Sequence, residues 1–160
     1  MTNDLVVIGI GQALRGDDGA GLAAVRVWQQ TYPGSASRSN VRVELAELPG
    51  IGLLSLLEGT RAAILVDAVR SGGLPGTVHI LSEADLSNPH ASSASAHGWG
   101  VAETLALGRQ LSPQHMPGSI QLIGIEAGEI GMGEAISPPV AEALTKAASK
   151  IEQAVCQALA

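Results

Sequence analysis

The sequence predicts an α/β domain whose sheet is mostly parallel but contains one antiparallel strand. Short apolar runs rich in β-branched residues, such as Val6 to Ile10, are typical of strands that are buried on both faces. Segments of helical periodicity alternate with these runs, as expected for a parallel sheet. Only eight residues, Ala68 to Pro75, separate the third strand from the next one. Because a crossover helix needs a longer connection, that fourth strand is expected to run antiparallel to its neighbours.

The elements follow in order along the chain. The first helix is predicted from about Asp17 to Thr31, and the turn at Tyr32-Pro33-Gly34 ends it. A final helix is predicted to be capped by Ser137, with Pro138 at its first position. Between them we expect a second strand at Val41–Leu45, a short helix at Ile51–Leu57, a third strand at Ala62–Asp67, a fourth at Thr77–Leu81, a helix at Trp99–Leu111 and a last strand at Ser119–Ile125. No internal repeat is visible, so residues 1–160 are predicted to form a single domain.

Composition excludes several classes of partner. The chain has 160 residues, a net charge of −6, two Trp, one Tyr and no Phe. Its core must therefore be aliphatic. The chain lacks both the aromatic side chains that stack on bases and the positive charge that favours a phosphate backbone, so nucleic acid binding is not expected. The lone Cys156 cannot form an internal disulfide and is expected to be a buried, inert thiol. No signal peptide and no run of about 18 apolar residues is visible, which predicts a cytoplasmic protein that does not enter a membrane.

Three polar residues are expected to meet at one edge of the sheet. Asp18 follows the first strand, Asp67 ends the third, and His97 begins a helix after a Ser-rich loop. Taken singly, each has a structural or solvent-exposed explanation, since Asp favours helix N-caps and turns. One acid of the pair Asp17 and Asp18 is thus expected to be structural. Glu126 reaches the same edge, where a solvated loop position is predicted for it.

Taken together, two carboxylates and an imidazole suit a divalent ion such as nickel, zinc or iron(II), with positions left open for substrate. The same acids are also compatible with a metal-independent dyad that shares a proton. An organic cofactor is not expected, because the Gly9-to-Leu14 run lacks the third glycine of a dinucleotide fingerprint and the adjacent acids would repel a pyrophosphate. The residues themselves leave the metal and acid-dyad alternatives open.

Several motifs give the chain a family resemblance over essentially its whole length. In order they are Gly9-Ile10-Gly11-Gln12-Ala13-Leu14-Arg15-Gly16-Asp17-Asp18-Gly19-Ala20-Gly21, Val66-Asp67-Ala68, Pro75-Gly76-Thr77, Ser95-Ala96-His97-Gly98 and Gly124-Ile125-Glu126. This series resembles the hydrogenase maturation endopeptidases, which process the C-terminus of nickel-iron hydrogenase large subunits. The Gly-Asp-Asp-Gly-x-Gly block is its most specific part.

The resemblance implies a three-layer α/β/α sandwich with a five-stranded mixed sheet. It also implies that Asp18, Asp67 and His97 contact nickel, and that this nickel is presented by the substrate. The expected activity is that of a peptidase that removes a C-terminal extension from a nickel-loaded large-subunit precursor. Monomeric action is expected.

The chain departs from the family pattern after the second strand, where Glu47-Leu48-Pro49 replaces the frequent Asp-Gly-Gly. The catalytic group is therefore not fixed by the motifs, and Asp17 and Glu47 are its candidates. Two other functions remain open at this point. One is a nickel-dependent checkpoint protein that binds the precursor without cutting it, and the other is the metal-independent acid-dyad hydrolase.

Overall fold

The computed structural model describes residues 3–86, 94–95, 100–133 and 135–160. Its strands are β1 Asn3–Gly11, β2 Val41–Glu47, β3 Thr60–Arg70, β4 Val78–Ser82, β5 Ala94–Ser95 and β6 Ser119–Glu126. The five longer strands lie in the order β2-β1-β3-β6-β4, and β5 pairs with the end of β3. Strands β1, β2, β3 and β6 are parallel, whereas β4 is antiparallel to β6. The predicted mixed sheet is confirmed, including the antiparallel fourth strand that the short connection between β3 and β4 indicates.

Helices cover both faces of this sheet. They are α1 Ala20–Thr31, α2 Pro33–Ala36, α3 Leu53–Leu57, α4 Glu83–Leu86, α5 Val101–Leu111 and α6 Pro138–Ala158. Helices α1 and α6 pack on one face, around residues such as Val7 and Val66. Helices α3 and α5 pack on the other face, around residues such as Ile8 and Leu65. The three-layer α/β/α sandwich is therefore confirmed.

The core is aliphatic, as composition predicts, with one large exception. Trp28 of α1 is fully buried, and its indole Nε1 donates a 2.8 Å hydrogen bond to Glu152 of α6. Each fully buried Leu or Ile contributes about 1.5–3 kcal/mol relative to an exposed position, so these two layers supply most of the stability. The expectation that Cys156 is buried is wrong: it lies on the outer side of α6 and is exposed.

The first helix begins later than the sequence suggests. Residues Gly16–Gly19 form a 3-10 turn, and α1 starts at Ala20 instead of near Asp17. The turn is fixed by its neighbours, because the Asp17 amide donates to the Glu129 carbonyl at 2.8 Å and Gly16 has a left-handed φ of 58°. At the other end of the chain, Ser137 occupies the N-cap position of α6, but its side chain makes no cap hydrogen bond.

Within the described ranges, no helix is both long and apolar enough to cross a bilayer.

Candidate functional site at the carboxyl edge of the sheet

Four buried acids lie at the edge where β1, β3 and β6 end. The described residues bury five polar or charged side chains, namely Asp17, Asp18, Asp67, Thr104 and Glu126, each at most 2% exposed. Asp17 and Asp18 follow β1, Asp67 lies near the end of β3, and Glu126 ends β6. In parallel sheets this edge is where ligands bind. Because burying an ionised carboxylate costs several kcal/mol without compensation, each acid requires its own structural explanation.

Asp17 holds the connection between β6 and α6. Its Oδ2 atom accepts hydrogen bonds from the Gly128 amide at 2.8 Å, the Glu129 amide at 2.9 Å and the Ser137 hydroxyl at 2.7 Å. Its Oδ1 atom accepts from the Ser137 amide at 2.7 Å. Burial raises the pKa of Asp17, but these four hydrogen bonds outweigh burial and hold the pKa below its ordinary value. Asp17 therefore serves the tertiary structure, through contacts distant in sequence.

Glu126 has a similar role on the other side of the site. The carboxylate accepts the Ser71 amide at 2.9 Å and the Ser71 hydroxyl, and it lies 3.0 Å from Nε2 of His79. Burial raises the pKa of Glu126, but the hydrogen bonds from Ser71 and His79 lower it below the ordinary value. The prediction of a solvated loop acid is wrong, because the turn between β3 and β4 folds over this side chain.

Asp18 and Asp67 are brought to the same edge by two glycines of the motif. A Cβ atom on Gly11 would lie 2.2 Å from the carbonyl oxygen of Asp18. A Cβ on Gly21 would lie 2.5 Å from the Ile10 carbonyl oxygen and 2.9 Å from the Cα of Asp67. These positions admit glycine alone without a backbone shift. The two glycines thus allow the turn that carries Asp18 to pack directly against the ends of β1 and β3.

Glu47 ends β2 at the same edge and is exposed. Its Oε1 atom accepts a 2.9 Å hydrogen bond from the Ala13 amide, which ties it to the loop after β1. The next residue, Leu48, has a φ of 46° and is 51% exposed. A left-handed conformation costs a leucine about 1–2 kcal/mol.

His97 lies outside the described residues. The nearest described neighbour on its N-terminal side is Ser95, whose backbone pairs antiparallel with Val69, two residues after Asp67. Among the residues that the structure describes, no three His, Cys, Asp or Glu side chains form a possible metal site. The metal-binding trio of Asp18, Asp67 and His97 therefore stays a prediction.

The fold agrees with comparisons to known proteins. The family model described as hydrogenase maturation protease matches residues 36–154. The chain belongs to this family.

Curated relatives include two proteins named hydrogenase expression/formation protein HupD. The protein from Rhodobacter capsulatus is 31% identical over 86% of this chain and 64% of its own length. The protein from Thiocapsa roseopersicina is 30% identical over 90% of this chain and 64% of its own length. The chain thus spans a little under two thirds of these relatives.

Solved structures share the fold. The hydrogenase maturating endopeptidase HybD from Escherichia coli superposes with a TM-score of 0.77 at 22% identity, over 96% of this chain and 92% of that one. The [NiFe] hydrogenase maturation protease HybD from Thermococcus kodakarensis gives a TM-score of 0.71 at 27% identity, over 94% and 98%. At 22% identity, the likeness to the Escherichia coli protein concerns the fold alone.

Sequence reasoning missed the tertiary partners of Asp17 and Glu126. For Asp17 the sequence indicates only that one acid of the Asp17–Asp18 pair is structural, because Asp favours N-caps and turns, and it does not reveal the distant donors. Glu126 carried no comparable signal, since its donors come from a turn whose path over β6 is set by tertiary packing.

Proposed function

We propose that this chain is an endopeptidase that removes the C-terminal extension of a nickel-loaded nickel-iron hydrogenase large-subunit precursor. The observation that carries the proposal is the pair of buried acids, Asp18 and Asp67, which the glycine motif brings together at the carboxyl edge of a hydrogenase maturation protease fold. The metal is part of the substrate. Processing would therefore depend on whether the precursor has already received nickel.

The position of two of the four buried acids, directly after β1 and near the end of β3, supports this assignment. Asp17 and Glu126 each accept several hydrogen bonds that hold connecting segments, so their oxygen atoms serve the fold. Asp18 and Asp67 are also buried at this edge, where Oδ1 of Asp67 accepts a 2.8 Å hydrogen bond from the Ala68 amide, and carboxylate oxygens bind divalent ions of this class. We assign to them the recognition of the substrate's nickel.

We propose His97 as the third ligand. Its backbone neighbour Ser95 pairs with Val69, and β5 runs antiparallel to β3. In sequence, His97 comes two residues after Ser95, and Asp67 comes two residues before Val69. Imidazole nitrogen is a suitable ligand for nickel beside two carboxylates.

Glu47 is the acid that we propose as general base for peptide hydrolysis. It is exposed at the same edge, whereas the Asp17 carboxylate is engaged by four donors. In this step Glu47 takes a proton from water, the water oxygen bonds to the scissile carbonyl carbon, and the carbon–nitrogen bond breaks as the proton passes to the leaving amine. The substrate's metal would supply polarisation of the scissile carbonyl.

Substitution of each assigned residue tests the proposal. Asp18→Asn, Asp67→Asn and His97→Ala should each abolish processing of a nickel-loaded precursor, measured by intact mass, while circular dichroism shows a folded chain. Asp85→Asn is the matched control, because Asp85 is an exposed acid on α4. A normal processing rate in any of the three variants would remove that residue from the site.

Glu47 requires a separate comparison of binding and cleavage. Glu47→Gln should retain affinity for the loaded precursor but lose cleavage, because the amide keeps the size of the side chain and cannot take a proton. Retained cleavage would exclude Glu47 as the base. Retained binding without any cleavage in the unmodified protein would instead indicate a checkpoint protein. Sedimentation of the unmodified protein tests whether it acts as a monomer, as we propose.

A further inference from the structure

One arginine lies in the short loop that contacts both the proposed base and the turn of a proposed metal ligand. This loop, residues 12–15, connects β1 to the turn that carries Asp18. The Ala13 amide donates to Oε1 of Glu47 at 2.9 Å, and the Asp18 amide donates to the Arg15 carbonyl at 3.1 Å. The backbone of Arg15 therefore belongs to a small segment that joins these two parts of the site.

The guanidinium of Arg15 has a donor that the described residues leave unused. The side chain is half-buried, and its Nε atom is shielded from solvent without a hydrogen-bond acceptor in the part of the chain that the structure describes. Its Nη1 atom donates to Oε1 of Gln12 at 3.4 Å, which is long for a hydrogen bond. A buried donor without an acceptor costs about 1–3 kcal/mol. Because the described contacts do not offset this cost, they hold the guanidinium only weakly and leave it available to an acceptor on a ligand.

The positive charge of Arg15 is likewise not used by the described part of the fold. Among the residues that the structure describes, no carboxylate forms an ion pair with its guanidinium. Arg70, which ends β3 at the same edge of the sheet, is exposed, so water solvates its charge. Water does not reach Nε of Arg15. Because charges interact more strongly where water is excluded, Arg15 suits an anionic ligand better than Arg70 does.

Peptide hydrolysis creates negative charge on one oxygen atom of the substrate. When the water oxygen bonds to the scissile carbonyl carbon, the carbonyl oxygen takes up the electron pair of its π bond. It holds this charge until the carbon–nitrogen bond breaks, while the proton that Glu47 took from water passes to the leaving amine. Donors that are already in place and shielded from water stabilise such an oxygen most strongly, and a charged donor forms the stronger hydrogen bond. The guanidinium of Arg15 offers a donor of this kind.

We infer that the Arg15 guanidinium binds the scissile carbonyl oxygen and stabilises the negative charge that forms there during hydrolysis. This inference rests on the proposed function and adds one residue to it. Before substrate binds, the long hydrogen bond to Gln12 orients the guanidinium. The bound substrate then supplies the acceptor that the described residues lack, and Arg15 shares the charge of this oxygen with the substrate's metal.

The test compares Arg15→Met with Arg70→Met, because each substitution removes one guanidinium from the same edge of the sheet. With nickel-loaded precursor, Arg15→Met should lower kcat by about 100-fold and change KM by less than about threefold, since the contact forms in the transition state. Arg70→Met should leave both constants within about twofold of those of the unmodified protein. The urea midpoint of Arg15→Met should not fall, because the substitution removes a donor that lacks an acceptor and keeps most of the apolar side chain.

Chemical rescue separates this role from a structural one. Arg15→Ala leaves space for a small cation, so a low, non-denaturing concentration of guanidinium chloride should raise its kcat by about tenfold or more. The same addition should leave kcat of Arg70→Ala and of the unmodified protein unchanged. A loss of kcat in Arg15→Met and Arg15→Ala that guanidinium does not rescue would assign Arg15 to the structure of the loop and overturn the inference.

The remaining outcomes distinguish this inference from the proposed function. Unchanged kcat in Arg15→Met overturns the inference and leaves the proposed function intact. Equal losses in Arg15→Met and Arg70→Met overturn it in favour of a general effect of positive charge at this edge, and a change in KM alone overturns it in favour of binding to the uncleaved substrate. If the unmodified protein cleaves no precursor, the proposed function fails and the inference fails with it.

Discussion

Replacing Asp17 by Asn removes the charge from a carboxylate that four donors surround. In the best orientation, the amide oxygen takes the place of Oδ2 and keeps the contacts with the Gly128 amide, the Glu129 amide and the Ser137 hydroxyl. The amide nitrogen then faces the Ser137 amide, which is also a donor, so that contact becomes repulsive. The three contacts that remain lose their charge assistance.

The expected loss of stability follows from these contacts. Hydrogen bonds to a charged group contribute about 1.5–3 kcal/mol each, and neutral ones about 1 kcal/mol, without strict additivity. One lost bond and three weakened bonds give about 2–4 kcal/mol for Asp17→Asn. Ser137→Ala removes one donor and keeps the backbone contact, so it should cost about 1 kcal/mol. The two substitutions together should cost less than their sum, because they share a contact.

Urea unfolding followed by circular dichroism measures these differences, with Glu142→Gln, at an exposed position on α6, as the control. The same variants should process precursor more slowly, since Asp17 fixes the turn that presents Asp18. The reasoning is refuted if Asp17→Asn unfolds at the same urea concentration as the control. It is also refuted if the effects of Asp17→Asn and Ser137→Ala are fully additive.

Three further outcomes follow from the same edge of the sheet. The folded-state pKa values of Asp17 and Glu126 are lowered, so the stability that these carboxylates contribute is present above their unfolded pKa of about 4 and is lost as pH falls through the folded values. When unfolding is measured at decreasing pH, the loss of stability caused by Asp17→Asn should therefore become smaller below about pH 4. Gly21→Ala should destabilise the chain by about 1–3 kcal/mol, because its Cβ would lie 2.3 Å from the Val66 carbonyl oxygen. Gly34→Ala has open space around its Cβ and should leave stability unchanged, and equal urea midpoints of the two variants would contradict this prediction. A double-mutant cycle of Glu126→Gln and His79→Gln should give a coupling energy of about 1 kcal/mol, and fully additive effects of the two substitutions would exclude a stabilising contact between these side chains.

The sequence predicts the fold well because its signals are local. Apolar β-branched runs define the central strands, and the length of one connection defines the antiparallel strand. The start of α1 was misplaced by three residues, since the turn from Gly16 to Gly19 depends on a contact with Glu129, which is distant in sequence. Local periodicity carries no information about such a contact.

The candidate site is predicted in part. The placement of Asp18 and Asp67 follows from topology, because the carboxyl ends of β1 and β3 meet at one edge. The separate role of Asp17 depends on donors more than 100 residues away, at Gly128 and Ser137, which no local pattern reveals. Burial of Glu126 likewise depends on the path of the turn between β3 and β4. His97 stays a prediction.

The most direct test of the proposed function is intact mass spectrometry of a candidate large-subunit precursor after incubation with this protein, with and without nickel loaded. The account predicts that a C-terminal fragment is lost from the nickel-loaded precursor alone, and that Asp67→Asn prevents this loss. Equal cleavage of the loaded and nickel-free forms would contradict recognition of the substrate's metal by these acids. Intact precursor in both samples would contradict the peptidase activity itself.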